Sequence, residues 1–158
     1  TYPSSVVGPP AGHRAGISAE GFAPLLRFGV SVSFDGAMAM IDVRDVADLH
    51  AAAMVAGQGP RRLVCGGELV PFDEAVDAGR SIRRVRLRPG AVRAMGRISD
   101  VVAARTPFPP SFSSEAARLL LAGTPTDDSA ALAVLGRPWR PVRGALPAAA
   151  AATTAGRR

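Results

Sequence analysis

The sequence predicts an α/β protein whose last third is helical. Over the first two thirds, short apolar runs typical of strands alternate with segments of helical periodicity, and only helical patterns follow. The length of 158 residues fits one domain. Val, Leu, Ile and Phe supply 38 of these residues, which is above the roughly 20% below which disorder is expected. The chain can therefore form a modest hydrophobic core.

The strand predictions come from short apolar or alternating runs that end at turn residues. Val6 and Val7 lead into Gly8 and two prolines, which marks the end of a buried strand, because proline cannot continue a ladder. Two alternating runs around Asp35-Gly36 predict a β-hairpin. The predicted strands after the first cover residues 31–34, 37–41, 63–65 and 83–88.

The helix predictions rest on apolar residues three and four positions apart, together with capping residues at the starts. Ser18, Ser113 and Thr126 are candidate N-caps, and Pro89 suits the first turn of a helix. Asp42 or Asp45 is a candidate N-cap for a further helix. The predicted helices cover residues 19–27, 42–56, 72–79, 89–104, 114–121 and 127–135.

The charged residues exclude several kinds of chemistry. All 19 basic residues are Arg, and the chain has no Lys. This excludes a Schiff-base lysine, a P-loop lysine and any Tyr/Lys or Ser/Lys pair carried wholly on the chain. The single cysteine, Cys65, has no partner for an internal disulfide and no neighbouring Cys or His for zinc. The sequence has neither a run of about 18 apolar residues nor a secretory signal, so we expect a cytoplasmic protein without a membrane span.

An arginine-rich stretch is the strongest charge feature. It could hold the phosphate groups of a nucleotide-linked substrate or contact nucleic acid, but a solvated face is the favoured interpretation. Aromatic residues that would stack on bases make up only 5% of the chain, which makes nucleic acid an unlikely partner. The residues concerned are Arg83, Arg84, Arg86, Arg88, Arg93 and Arg97.

Other polar residues have a structural and a functional interpretation. Asp42, Asp45 and Asp48 lie three apart and could form a metal site or an acid pair, although helix capping is favoured. His50 is best explained as a helix residue near a core face, and His13 as a loop residue that could line a substrate entrance. Trp139 is expected to pin the terminal segment to the body of the protein.

Four stretches, in order, resemble the C-terminal half of extended short-chain dehydrogenase/reductases. The likeness is to the NAD-dependent epimerase/dehydratase group, on its dihydroflavonol-reductase-like side, and it runs from Thr1 to about Leu146. The stretches are residues 3–9 (PSSVVGP), 40–50 (MIDVRDVADLH), 64–68 (VCGGE) and 128–136 (DSAALAVLG).

This resemblance implies the C-terminal part of a doubly wound, Rossmann-like parallel sheet and a mainly helical substrate-binding region. Residues 1–67 would complete the NAD(P)-binding domain, with a substrate-pocket segment inserted at about 8–36. Residues 68–146 would form the helical region, and 147–158 a disordered tail. The implied reaction is hydride transfer on a carbonyl or sugar-nucleotide-type substrate, with NAD or NADP as cofactor.

The resemblance also implies a division of labour with an N-terminal half of the same protein. The Gly-rich turn and the Tyr-x-x-x-Lys of the family are absent here, since Tyr2 is followed by Val6 four positions on. We therefore expect no catalytic residue on this chain, and no activity from it alone. A non-catalytic relative that senses nucleotide or binds a partner remains an alternative, and a basic nucleic-acid-binding module is a weaker one.

The resemblance assigns cofactor binding to four residues that match the family's loop after the strand that follows the catalytic lysine. Pro3 would lie against the nicotinamide, and main-chain groups of Ser4, Ser5 and Val6 would hydrogen-bond its carboxamide. A proline removes a competing donor, and small side chains let the backbone approach a flat ring. An ordinary buried strand end is the structural alternative for the same residues.

Overall fold

The computed structural model describes residues 1–9, 30–57, 59–77, 83–106 and 112–146, and within them the predicted α/β class is confirmed. The strands are β1 (Tyr2–Pro3), β2 (Ser5–Val7), β3 (Val30–Ser33), β4 (Ala37–Asp42), β5 (Val64–Cys65), β6 (Glu68–Pro71) and β7 (Arg83–Arg86). The helices are α1 (Val43–Ala53), α2 (Phe72–Asp77), α3 (Pro89–Ala103), α4 (Ser114–Ala122) and α5 (Ser129–Leu135), followed by a 3₁₀ turn (Val142–Gly144).

Parallel pairing dominates the described sheets. β1 pairs with β5, β2 with β4 and β3 with β7, all in parallel, whereas β4 and β6 are antiparallel. The extended segment from Tyr2 to Val7 belongs to two of the parallel pairs, because β5 joins it at Tyr2–Pro3 and β4 joins it at Ser5–Val7. This first segment therefore links three other strands into one layer.

The predicted hairpin at Asp35-Gly36 is wrong. β3 pairs with β7, while β4 pairs with β2 and with β6, a strand that the sequence pattern did not predict. The favoured two-residue hairpin turn with this sequence needs a positive φ at the glycine, and Gly36 does not have one. Its carbonyl instead accepts a hydrogen bond from the Phe72 N–H at 2.9 Å, where the chain leaves β6 for α2.

Helix starts follow the predicted caps with one exception. Asp42 caps α1 and Ser113 caps α4 through their side chains, and Pro89 begins α3. The expectation that Thr126 caps a helix starting at 127 is wrong, because α5 begins at Ser129. The carboxylate of Asp127 accepts from the Ser129 N–H, and the Thr126 hydroxyl donates to Asp128 instead.

Three clusters of buried side chains make up the core of the described part. On one face of the β2/β4 layer, Ile41 and Cys65 pack against α1 and α5. On the other face, Val7, Met40 and Val70 pack against the 3₁₀ turn and the residues after it. A third cluster joins β3 and α2 to α3 and α4, and it consists of Phe34, Phe72, Val92 and Ala117.

Several predictions lie outside the described residues. These are the helix at 19–27 with its Ser18 cap, His13, most of the inserted segment at 8–36 and the tail at 147–158. The boundary between the two predicted regions stays a prediction. Among the described helices, none is both long enough and apolar enough to cross a membrane.

Candidate functional site

Three of the four residues assigned to the cofactor lie within strands rather than in a loop. Pro3 is in β1, Ser5 and Val6 are in β2, and Ser4 lies between the two strands. The Ser4 N–H donates to the Cys65 carbonyl at 3.0 Å, and its hydroxyl donates to the Gly66 carbonyl at 2.6 Å. Both donors of Ser4 are thus used within the protein. Pro3, which is exposed, has no N–H to give, and Ser5 and Val6 are half-buried.

The chain leaves this strand at a glycine that no other residue can replace without strain. Gly8 has a φ of 142°, and a Cβ on it would lie 2.7 Å from Cγ1 of Val43. Val43 is the first residue of α1, so β2 and β4 end side by side and the loop after β2 starts against that helix. In open α/β sheets, ligands bind at the carboxyl ends of parallel strands, and here two such ends meet.

The turn after β5 is fixed by a single carboxylate. Asp128, which is 9% exposed, accepts hydrogen bonds from the main-chain N–H groups of Gly66 and Gly67 at 2.9 and 2.8 Å. It also accepts from the Thr126 hydroxyl and the Trp139 indole N–H, each at 2.8 Å. Two donors meet each oxygen, so this acid is saturated and serves the structure.

Trp139 holds the segment after α5 in place, as the sequence predicts. Its indole N–H donates to Asp128, and its ring packs against the cluster that contains Ile41 and Leu49. The terminal segment is thereby held close to the turn after β5.

Asp42, which caps α1, and the two aspartates within this helix are each engaged by arginines. Asp42 accepts from the Arg44 N–H at 2.8 Å and from the Arg44 guanidinium at 2.5 and 2.9 Å. These side-chain hydrogen bonds lower the pKa of Asp42 although burial opposes the shift. Hydrogen bonds from Arg140 and Arg137 lower the pKa of Asp48 in the same way. Helix capping, the favoured interpretation, is confirmed for Asp42.

Asp45 is fully buried, and its hydrogen-bond partner Arg140 lies 95 positions further along the chain. Arg140 donates to it from both its main-chain N–H, at 2.7 Å, and its side chain, at 2.5 Å. The Arg137 guanidinium lies 2.7 Å from the same carboxylate. Because both arginines also reach Asp48, this network fastens the segment after α5 to α1.

The metal site weighed for Asp42, Asp45 and Asp48 finds no support in the described ranges. Cys65 is fully buried, and burial raises the pKa of its thiol, so it stays protonated and inert near neutral pH. Within those ranges, no three His, Cys, Asp or Glu side chains are grouped so that they could hold a metal ion. His50 is exposed in the last turn of α1, and its Nε2 lies 2.5 Å from the Thr1 hydroxyl.

The arginine-rich stretch divides into two parts in three dimensions. Arg83, Arg84 and Arg86 lie on β7, and Arg86 pairs with the exposed Asp35 at 2.6 Å. Arg93 and Arg97 lie on α3 instead and line a cleft of about 450 Å³ against α4. The sequence alone did not separate these two groups, and it did not connect Arg118 of α4 with the second.

The buried acids and the thiol of the described residues serve mainly to hold the structure together. These acids are paired or hydrogen-bonded, with one unpartnered oxygen on Asp73, and the thiol is inert. Sequence reasoning missed the roles of Asp128, Arg137 and Arg140. A fair signal existed for Asp128, because an acid beside the start of a helix invites main-chain hydrogen bonds. Nothing local indicated its partners, which lie some 60 residues away.

Comparisons with known proteins give the fold and no more. No family model matches the sequence, and no curated protein matches it. The structure is similar to the crystal structure of gox2253, with a TM-score of 0.65 and 22% sequence identity. The likeness covers 96% of this chain and 47% of that one, so the chain spans about half the length of the solved structure it matches.

Proposed function

We propose that this chain is the C-terminal portion of an NAD(P)-dependent oxidoreductase of the extended short-chain dehydrogenase/reductase family. It would act as a reductase, epimerase or dehydratase by hydride transfer on a carbonyl or sugar-nucleotide-type substrate. Its part would be to complete the nicotinamide pocket and to supply most of the substrate pocket. When bound, the cofactor would supply the hydride chemistry, and the acid/base residues would come from an N-terminal half.

One observation carries the proposal. The stretch that resembles the family's nicotinamide-contacting segment, Pro3 to Val6, lies in the strand segment shared by two parallel pairs. Its exit at Gly8 adjoins the end of β4, which is the place where open α/β sheets bind ligands. The extent of the likeness to gox2253, about half of a longer chain, is consistent with a protein that has a second half.

The residues present fit a flat ring in part. Pro3 has no N–H that could compete for the ring's carboxamide, and the next two residues, Ser4 and Ser5, have small side chains. The N–H of Ser4 bonds to Cys65, so main-chain contacts to a carboxamide would have to come from Ser5 or Val6. The proposal therefore places the main-chain role on those two residues and gives Ser4 the role of holding the Gly66 turn.

The test uses the longest natural protein that contains this chain, with NADH and NADPH binding followed by fluorescence. Ser5→Tyr places a ring where the backbone should meet the nicotinamide and is expected to weaken binding at least tenfold. Ser5→Ala removes only the hydroxyl, so affinity should be retained if the main chain makes the contact. Circular dichroism and thermal unfolding of both variants serve as the folding control. Failure of the unaltered protein to bind either nucleotide would refute the proposal.

A second candidate is a non-catalytic relative that senses nucleotide. This chain has no Lys, and Val6 stands four positions after Tyr2, so it carries no Tyr/Lys pair, which agrees equally with both candidates. Tight binding of NADPH, with no carbonyl reduction across a panel of aldehydes and ketones, would select this candidate over the enzyme.

A further inference from the structure

We propose that the cleft between α3 and α4 is a binding site for a small molecule with a phosphate monoester group. The cleft has a volume of about 450 Å³ and is lined by Arg93, Arg97, Ser114, Arg118, Leu121 and Ala122. This volume lies within the range of small-molecule sites, about 300 to 1,000 Å³. The lining residues all belong to α3 and α4, so the inference does not depend on the proposed cofactor role of Pro3 to Val6.

The close approach of the two helices brings the three guanidinium groups to one cleft. At Gly96 a Cβ would lie only 2.7 Å from the Cα of Ser114, so α4 starts directly against α3. Arg93 and Arg97 lie one helical turn apart, on either side of this contact in the α3 sequence. Arg118 lies one turn after Ser114 on α4. Positions four apart on a helix lie on the same face, which accounts for both pairs.

The charges of this cleft are incompletely balanced within the protein. Arg93 and Arg97 have no acidic partner among the described residues, and both are exposed. Arg118 has one weak pair, with Glu115 at 3.5 Å, and both of those side chains are largely exposed. Asp100 adds a second acid nearby, but its carboxylate accepts from the Ser114 N–H at 3.2 Å. Like charges four apart on a helix repel each other, and a bound dianion would remove that repulsion.

The chemistry of the lining favours a phosphate ester over a simple anion. Guanidinium groups form paired hydrogen bonds to phosphate oxygens, and the Ser114 hydroxyl can add one more. Leu121 and Ala122 give the cleft an apolar side that suits an organic substituent. A single concave site of this size favours a small molecule over a nucleic-acid strand, which would need a longer basic track with aromatic stacking.

The test titrates the full-length protein with phenyl phosphate and with inorganic phosphate, at constant ionic strength, by calorimetry or by NMR shifts. Phenyl phosphate is expected to bind more tightly, because only it reaches the apolar side. The double variant R93Q/R97Q should weaken phenyl phosphate binding by tenfold or more, and R93K/R97K, which keeps the charge but loses the fork geometry, by less. Both side chains are exposed, so folding should be unaffected, as circular dichroism would verify.

The matched control is R61Q/R62Q, which also removes two positive charges, but from an exposed segment before β5. An equal loss of affinity in R93Q/R97Q and in R61Q/R62Q would overturn the proposal, because it would indicate a general electrostatic effect. The proposal would also be overturned if a short oligonucleotide displaced phenyl phosphate and bound more tightly. Displacement and tighter binding by phosphatidic acid vesicles would overturn it in the same way. Undetectable phenyl phosphate binding would also overturn it, whatever the outcome with NAD(P)H.

Discussion

At the scale of single residues, buried carboxylates decide how the segments of this chain come together. Asp128 joins the turn after β5 to Trp139, and Asp45 joins α1 to the two arginines that follow α5. Each of these acids has several donors arranged around it. A buried carboxylate is stable when its oxygens accept hydrogen bonds from all the surrounding donors. Replacing one of these oxygens by an NH₂ group, which is itself a donor, is therefore costly.

Asp128→Asn is expected to lower the free energy of unfolding by about 3 kcal/mol, because the new amide NH₂ faces two N–H or O–H donors in a buried site. The fluorescence of Trp139, the only tryptophan, should shift to the red as its indole loses its acceptor. Urea denaturation followed by this fluorescence measures both effects. Asp127→Asn is the matched control, since this neighbouring acid is exposed and an Asn can still accept from the Ser129 N–H. Equal stability of the two variants would contradict the role given to Asp128.

The lowered pKa of Asp42 predicts a loss of stability in acid. The Arg44 hydrogen bonds hold the folded pKa below the ordinary value of 3.8. Unfolding then takes up a proton between the two values, so stability is complete above the ordinary pKa and is lost as the pH falls through the folded one. Over this window the contribution is at most about 1.4 kcal/mol per pH unit.

Urea denaturation from pH 7 down to about pH 2 measures this effect, because the loss lies below the ordinary pKa of a carboxyl. Asp42→Asn should flatten the acid limb of the stability curve and also lower the plateau, by about 1 kcal/mol, because the charge-assisted hydrogen bonds from the Arg44 guanidinium are weakened. The exposed Asp35→Asn serves as the control. An unchanged acid limb in Asp42→Asn would show that Asp42 does not contribute in this way.

At the scale of elements, short strands are held in register by glycine turns and by side-chain caps. Gly67 has a φ of 75°, and a Cβ on it would lie 2.1 Å from the Met40 carbonyl oxygen. The main chain of the turn before β6 is therefore in direct contact with the main chain of β4. Asp128 holds the N–H of the same glycine. These two contacts place β6 beside β4, and they explain why the strand forms although its sequence gives a weak pattern.

Gly67→Ala is expected to destabilise the protein by about 2 to 4 kcal/mol, since the methyl group adds a clash with the main chain to the cost of a positive φ. Gly57 is the matched control position, because its φ is a similar 81° but a Cβ on it would have no atom within 4 Å. Gly57→Ala should lower the free energy of unfolding by only about 1 kcal/mol, which is the cost of the positive φ alone. Thermal or urea unfolding of both variants measures the difference. Equal costs would mean that the approach of Gly67 to β4 is looser than the structure has it.

At the scale of the whole molecule, the described residues form three parallel strand pairs, and in one of them, β2 with β4, the two strands end beside each other. The proposed enzyme function would depend on residues outside this chain. The chain alone is expected to give no NAD(P)H-dependent reduction of aldehydes or ketones above background, measured at 340 nm, whereas the longer protein is expected to be active. Clear turnover by these 158 residues would contradict the proposed division of labour.

Several local features were predictable because they depend on a few neighbouring residues. Asp42 and Ser113 cap helices through hydrogen bonds to main-chain groups two or three positions on, and Pro89 begins α3 with its fixed φ. The apolar periodicity predicts a buried stripe of Val46, Leu49, Ala53 and Met54 on α1, which is confirmed for Val46 and Leu49, whereas Met54 is 85% exposed. The assignment of cofactor binding to Pro3, Ser4, Ser5 and Val6 came from resemblance, and it stays a prediction.

The sequence by itself determined the α/β class, the caps of α1 and α4, and the absence of lysine chemistry from this chain. The tertiary structure alone decided that β3 pairs with β7, that Asp128 serves Gly66 and Gly67, and that Arg93, Arg97 and Arg118 share a cleft. The physical reason is the range of the interactions. Caps and periodicity act over one helical turn, whereas strand pairing, buried ion pairs and clefts join residues whose separation along the chain carries no local signal.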